Sequence, residues 1–160
     1  MISIRKKQKG LKVATKSGWL QLSQKVDSGL VLLVQLAKNV SNEPLSLRTV
    51  AENTGLSFYF LQKVAADLRR AGIIEAGRGK NGGYTLSKLP KEVTMKDIVE
   101  AHEGPLFIMP CLHHGTSCPR ESECNVRPGL NFINTTILQT LAQTSLYDFI
   151  HPTSWKTHSK

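Results

Sequence analysis

From Leu22 onward, apolar residues recur at helical spacing. Val26, Leu30, Leu33, Val34 and Ala37 predict a core helix with Ser23 placed to cap it and Asn39 near its end. Gly29 inside that helix costs it only about 1 kcal/mol. Ser41-Asn42-Glu43-Pro44 breaks the pattern, and a short helix follows with Ser46 as N-cap, Leu47, Val50 and Ala51 inward, and a stop at Gly55. A tight turn leads into a third helix starting at Ser57, whose Leu61, Val64, Ala65 and Leu68 fall at i, i+3, i+4 and i+7 and which ends at Gly72. Two short helices joined by a glycine turn predict a helix-turn-helix. Beyond Gly72 the apolar runs shorten. Ile73-Ile74-Glu75-Ala76 and Tyr84-Thr85-Leu86-Ser87 bracket Gly77-Arg78-Gly79-Lys80-Asn81-Gly82-Gly83, which predicts a β-hairpin around a basic, glycine-rich loop.

A further helix starts at Thr94, with Asp97 three residues on as in a capping box, and runs to Glu103 before Gly104-Pro105. After a cysteine-bearing segment flanked by Pro110 and Pro128, Leu130, Ile133, Ile137, Leu138 and Leu141 form a last helical stripe. A stripe that follows a complete small domain needs a partner surface, and a second copy of the chain suits a two-fold dimer on a palindromic duplex. The predicted fold class is mainly α with a small β-hairpin wing: a winged helix-turn-helix plus a long C-terminal dimerisation helix. The expected divisions are a basic flexible arm (1–18), the winged helix-turn-helix (19–90), a part holding linker helix, cysteine loop and dimerisation helix (91–150), and a flexible tail (151–160).

Length and charge sharpen this picture. The chain has 160 residues, of which 40% are hydrophobic and 21% charged, enough for one ordinary core with appendages. No apolar run approaches the roughly 18 residues a membrane span requires, and the first residues lack the apolar stretch of a secretory signal, so a cytoplasmic protein without a membrane partner is expected. The net charge is +9, and residues 1–20 carry six lysines and arginines with no acid, whereas residues 91–160 hold six basic residues against seven acids. The positive field therefore belongs to the N-terminal half. It favours a polyanion, nucleic acid or an anionic surface, against the alternative of a merely solvated basic face.

If the third helix enters a major groove, Ser57, Tyr59, Gln62 and Lys63 lie opposite its apolar face near its N-terminus. Gln62 has the geometry for a bidentate pair with adenine, while the hydroxyls of Ser57 and Tyr59 suit phosphate or base edges. Ser46 at the start of the preceding helix joins this set. Packing is one reading of Phe58 and the preferred one for Phe60, and for Arg69, Arg70 and Lys63 the alternative is a merely solvated charge. Arg78 and Lys80 in the wing loop suit the negative potential of a minor groove. The same loop lacks the Walker arrangement, its Gly-Lys having no following Ser or Thr, so nucleotide hydrolysis is not expected.

Cys111, Cys118 and Cys124 stand within fourteen residues beside His113 and His114. An odd number of clustered cysteines in a reducing compartment points to metal or redox chemistry. Soft sulfur suits an iron–sulfur cluster or zinc, although the tight C-x2-C knuckle of structural zinc sites is missing. Three thiolates leave one ligand position open, to be filled by His113 or His114 locally, or by Asp27 from the first helix of the same or a partner subunit. No oxyanion-hole signature accompanies the cysteines, so a nucleophilic enzyme is not expected.

With these residues in view, positions from about 20 to 150 resemble the IscR/NsrR/RirA-type winged-helix regulators that sense through an iron–sulfur cluster. The likeness is carried by Ser46-Leu47-Arg48-Thr49-Val50-Ala51-Glu52-Asn53-Thr54-Gly55-Leu56-Ser57, Leu68-Arg69-Arg70-Ala71-Gly72, Arg78-Gly79-Lys80-Asn81-Gly82-Gly83-Tyr84, Asp97-Ile98-Val99-Glu100-Ala101, Glu103-Gly104-Pro105, the three cysteines in order, and the closing Ser145-Leu146-Tyr147-Asp148-Phe149-Ile150. It implies a homodimeric regulator, a repressor, with cluster ligands at Cys111, Cys118 and Cys124. Members that ligate a two-iron cluster through histidine place it three residues after the last cysteine, where this chain has Arg127. Nitric-oxide-sensing members use an aspartate near the start of the first helix, where Asp27 stands, which favours a four-iron over a two-iron cluster. Lys80-Asn81 replaces the family's usual Pro-Gly in the wing.

The expected function is sequence-specific binding of double-stranded DNA, controlled by a cluster that senses nitric oxide, redox or iron status. The alternatives are a zinc or thiol-switch site on the same DNA-binding head, without a cluster, or a module that uses the winged helix on a non-DNA partner.

Overall fold

The computed structural model describes residues 22–39, 43–77, 82–113, 118, 120–151 and 153. The expected arm, Arg78, Lys80 and His114 lie outside the described residues. In chain order the elements are α1 (Gln24–Lys38), α2 (Leu47–Thr54), α3 (Phe58–Arg70), β1 (Ile74–Gly77), β2 (Gly83–Leu86), α4 (Met95–Glu103), α5 (Arg127–Gln143) and α6 (Leu146–Ile150), with single 3-10 turns at Pro110–Leu112 and Glu121–Glu123. The fold is thus mainly helical with one small antiparallel hairpin and a long helix near its C-terminal end.

Helix α1 is the central rod, touching α2, α3, α4, α6 and β2. Its buried side therefore differs from the simple stripe expected. Val26 and Leu33 are buried together with Leu32, Leu36, Ser28 and Gly29, while Leu30, Val34 and Ala37 are only partly buried against that core. A helix wrapped on several sides buries a broader arc than one face of a 3.6-residue period supplies.

The helix-turn-helix follows the sequence closely. Ser46 Oγ accepts a hydrogen bond from Thr49 N at 3.1 Å, and Gly55 closes α2 in the left-handed region at φ 73°, a conformation that costs glycine little. In α3, Leu61, Val64, Ala65 and Leu68 have no exposed surface, so its opposite face is turned outward.

The hairpin pairs Ile74 with Leu86 and Gly77 with Gly83, its first strand shifted one residue along from the expected start. Its loop end is fastened by a third piece of chain: Leu45 N donates to Tyr84 O at 3.0 Å and Tyr84 N to Leu45 O at 2.9 Å. A β-carbon on Gly83 would lie 2.8 Å from the carbonyl carbon of Pro44 and 2.9 Å from Leu45 O. This wing glycine thus admits the protein's own backbone. Gly83→Ala is expected to cost about 1–3 kcal/mol by overpacking, read as a lower urea midpoint. Gly129→Ala is the matched control, because a β-carbon there meets nothing within 4 Å.

Helix α4 begins with the expected capping box, Asp97 N donating to Thr94 Oγ1 at 3.1 Å and Thr94 N to Asp97 Oδ2 at 2.9 Å. The chain's end returns to this point. Leu146 N donates to Val93 O at 2.8 Å and Met95 N to Thr144 O at 2.7 Å, with Leu146 fully buried and α6 against α1. Val93, Ile98, Val99 and Leu146 therefore share one core with Val50, Leu61 and Leu68.

Helix α5 behaves differently. Asn134 is its one buried residue, Leu130, Ile137, Leu138 and Leu141 are half-buried, and Phe132 and Ile133 are 73% and 49% exposed. No described helix is long and apolar enough to cross a membrane.

Candidate nucleic-acid interface

The outer face of α3 is polar because the inner face uses every apolar position of its period. Ser57, Tyr59, Gln62 and Lys63 are exposed, Tyr59 to 78%. Ser57 is the N-cap of α3 yet makes no side-chain cap hydrogen bond. Ser46 differs: its hydroxyl is engaged with both the amide and the hydroxyl of Thr49, so its first role is to hold the start of α2.

Between α2, α3 and the root of β2 lies a groove of about 670 Å³, lined by Ser46, Arg48, Phe58, Gln62, Gly83 and Tyr84 among others. Arg48 is exposed, and its guanidinium sits 5.9 Å from the centroid of the Phe58 ring, within range of a cation–π attraction. Phe58 in turn meets Tyr59 edge-on at 5.9 Å. Phe58 and Phe60 are both partly buried against the core, so Phe58 is at once a packing residue and the floor that steadies Arg48. The sequence reading missed Arg48. The available signal was its place beside Leu47 in the first turn of α2, directly across the glycine turn from the N-terminus of α3.

Arg48 thus places a cation on the groove, Gln62 lines it as a neutral side chain with two donors and an acceptor, and Lys63 follows Gln62 on the exposed face of α3. Arg69 and Arg70 occupy the last turn of α3, where positive charge complements the helix dipole. Arg70 also pairs with Asp67 at 3.2 Å.

The cysteine segment stands apart from this groove. Cys111, Cys118 and Cys124 are free thiols of intermediate exposure, and Cys111 lies in the turn Pro110–Leu112. Asn134 on α5 anchors the approach to that turn, its Oδ1 accepting from Ile108 N at 2.9 Å. His113 is exposed and packs edge-on to Phe107, ring centroids 4.9 Å apart. Asp27 is exposed in the first turn of α1.

Against an iron–sulfur cluster, the donor set fits in type and not in position. Three thiols of soft sulfur are suitable ligands. Among the described residues, however, no three His, Cys, Asp or Glu side chains form a group that holds a metal ion. Among the described residues the structure therefore does not gather the three cysteines, or two of them with Asp27 or His113, into one ligand set.

Known proteins give the arrangement a context. A family model described as Rrf2, iron-dependent transcriptional regulator, matches residues 22–152. The regulator CymR of Bacillus subtilis is 32% identical over 124 residues, covering 77% of this chain and 90% of that protein. The regulator NsrR of Halalkalibacterium halodurans is 32% identical over 132 residues, covering 82% of this chain and 90% of its own length. Among solved structures, that of B. subtilis CymR, described as the global cysteine regulator, superimposes with a TM-score of 0.64 at 31% identity, covering 82% of this chain and 97% of that one. The structure of T. potens IscR gives a TM-score of 0.64 at 26% identity, covering 88% of this chain and 93% of that one.

Proposed function

This chain belongs to the Rrf2 family of winged-helix, DNA-binding transcriptional regulators, and from that membership we propose that it is a homodimeric regulator, a repressor, which reads duplex DNA with the outer face of α3 and adjusts its grip through Cys111, Cys118 and Cys124. The observation that carries the DNA half is the division of α3. Leu61, Val64, Ala65 and Leu68 are wholly buried, while Ser57, Tyr59, Gln62 and Lys63 stand exposed, Gln62 lining a groove together with Arg48. In this reading Gln62 contacts base edges, Arg48 and Lys63 contact phosphate, and Ser57 leaves the first amides of α3 open toward the backbone. Arg78 and Lys80, from the wing loop, complete the set as minor-groove contacts. The exposed apolar side chains Phe132 and Ile133 on α5 supply the surface for a second copy.

The experiment selects duplexes from a randomised pool with the purified protein and measures affinity against salt. Arg48→Ala should weaken all duplexes by a similar factor and reduce the slope of log affinity on log salt by about 1. Gln62→Ala should instead relax preference at one base position, a loss of about 1–3 kcal/mol of discrimination. An Arg48→Ala protein with an unchanged salt slope contradicts the phosphate assignment.

For the cysteines, the three thiols together with a family described as iron-dependent support an iron–sulfur cluster, four-iron in preference to two-iron, as the responsive group. When bound, such a cluster supplies chemistry that responds to nitric oxide, oxidants or iron supply. Asp27, His113 and His114 are the candidates for a non-thiol ligand. Because the described thiols do not form one ligand set, loading requires residues 111–124 to draw together, and Asn134 holds one end of that segment to α5. The free, partly exposed thiols favour a second reading, in which they act as a thiol switch without a cluster; a zinc site is the remaining alternative and needs the same drawing together as a cluster. Iron and sulfide analysis of anaerobically purified protein separates them.

A further inference from the structure

Three helices meet around one polar cluster that neither the groove nor the cysteines use. The side chain of His102, near the end of α4, has no exposed surface. Its Nδ1 lies 3.4 Å from Asp67 Oδ2 on α3, and because a carboxylate only accepts, Nδ1 carries the proton and donates. Asp67 also accepts from Lys25 Nζ of α1 at 2.9 Å and from Arg70 of its own helix at 3.2 Å. On the far side of the ring, Nε2 is buried with no hydrogen-bond partner among the described residues. It presses on Gly29 of α1 so closely that a β-carbon there would meet it at a distance real side chains do not show. Helix α4 is in turn tied to the start of α1 by Glu103 Oε1, which accepts from Ser23 N at 2.9 Å.

We propose that Asp67 and His102 are positioning residues for DNA recognition: their contact fixes the reading helix α3 to α4, the helix that leads into the cysteine segment, and the packing of the ring against α1 accommodates only the singly protonated form of His102. The inference rests on the DNA-binding reading above. Asp67 sits on α3 C-terminal to Gln62, about one and a half turns further along the helix that carries the exposed face. His102 is followed by Gly104, at φ 80°, and then by the stretch that reaches Ile108 and Cys111. A displacement of the cysteine segment therefore reaches α3 through this contact.

Charge explains why one proton is the limit. The groups facing the ring are Asp67 and Arg70 from α3, Lys25 from α1 and Glu103 from α4 itself. Burial lowers the histidine's pKa from its ordinary 6.5 and outweighs the opposing pull of Asp67 and Glu103, while Lys25 adds to the lowering. A second proton places an N–H at Nε2 with no acceptor against the Gly29 backbone, beside a carboxylate already serving two cations. As pH falls through about 6.5 toward the lowered value of the folded protein, the unfolded chain takes up its proton first, so acidification loosens this junction.

The test uses the full chain and a duplex selected by the wild-type protein from a randomised pool. Between pH 7.5 and 5.5 at constant salt, wild-type affinity should fall about tenfold or more. This is opposite to the gain expected when exposed histidines acquire charge beside DNA. His102→Gln, whose amide donates to Asp67 without titrating, should bind within about threefold of wild type at pH 7.5 and lose the fall. His102→Leu, which fills the space without a donor, should bind at least fivefold more weakly at pH 7.5. Equal pH profiles for wild type and His102→Gln overturn the proposal, as does a loss of binding that tracks loss of helical signal equally in both. If His102→Leu does not fold, the His102→Gln profile decides alone. If no duplex is retained at any pH, the DNA-binding reading fails. Amide exchange then settles the junction by itself: it should accelerate at the end of α3 on acidification in wild type and not in His102→Gln, and equal rates overturn the link.

Discussion

Leu68→Ala should destabilise the DNA-reading half by about 2–5 kcal/mol, the cost of emptying a leucine site in a packed core, out of a total of roughly 5–15 kcal/mol for a domain of this kind. Leu68 has no exposed surface and belongs to the shared core of Val50, Leu61, Ile98 and Leu146. Neighbours on several helices must shift to close the void, and they are themselves fully buried. The loss should appear as a lower urea midpoint with an unchanged slope. DNA affinity should fall only as far as the folded fraction does, because Leu68 lies on the face of α3 turned away from the groove. Leu89→Ala is the control: at 68% exposure it should stay within about 0.5 kcal/mol of wild type. A Leu68→Ala protein with an unchanged midpoint would mean that the core around α3 is not packed as described.

Cys118→Ala should abolish iron retention while leaving the helical signal intact. The wild-type protein, purified without oxygen, is expected to hold iron and inorganic sulfide, and the variant less than a tenth as much. Coupling between two sites typically lies in the range of about 1–3 kcal/mol. On that scale, loss of iron from the wild type should change affinity for a selected duplex by about 5–150-fold. The variant should show one fixed affinity. Cys118 has intermediate exposure and lies outside the core cluster, so the substitution tests ligand chemistry rather than folding. An iron-free wild type whose DNA affinity still shifts on thiol oxidation would replace the cluster by a thiol switch.

The local code of the helix-turn-helix was legible because each of its features has a nearby cause. Ser46 caps within three residues, Gly55 is the one residue at ease in its left-handed turn, and Leu61, Val64, Ala65 and Leu68 share a face by helical period alone. The capping box of Thr94 and Asp97 was readable for the same reason. What sequence did not yield depends on contacts across many residues. Leu32 and Leu36 are buried because α1 is surrounded, and no single period announces that. Gly29 reads as a weak point in a helix, whereas in the structure it makes room for His102 seventy-three residues later. Asp67 and His102 each look like surface polar residues until the fold joins them. Asn134 lies in an apolar stripe and is the one residue of α5 to be buried, since it satisfies the amide of Ile108. At the candidate interface, alternation along α3 was enough to propose Ser57, Tyr59, Gln62 and Lys63. Arg48 required knowing that α2 presents its first turn to the same groove, over Phe58. The cysteines were visible as a cluster in sequence, and among the described residues they are not gathered into one metal-holding group.

Competition binding at fixed salt asks most directly whether the exposed face of α3 reads sequence. A labelled duplex selected by the protein is challenged with the unlabelled selected duplex and with a scrambled one of the same composition. The selected duplex should compete at least about 10³-fold better, and Gln62→Ala should narrow that ratio without altering the salt slope. Equal competition by the two duplexes would contradict sequence recognition by this face.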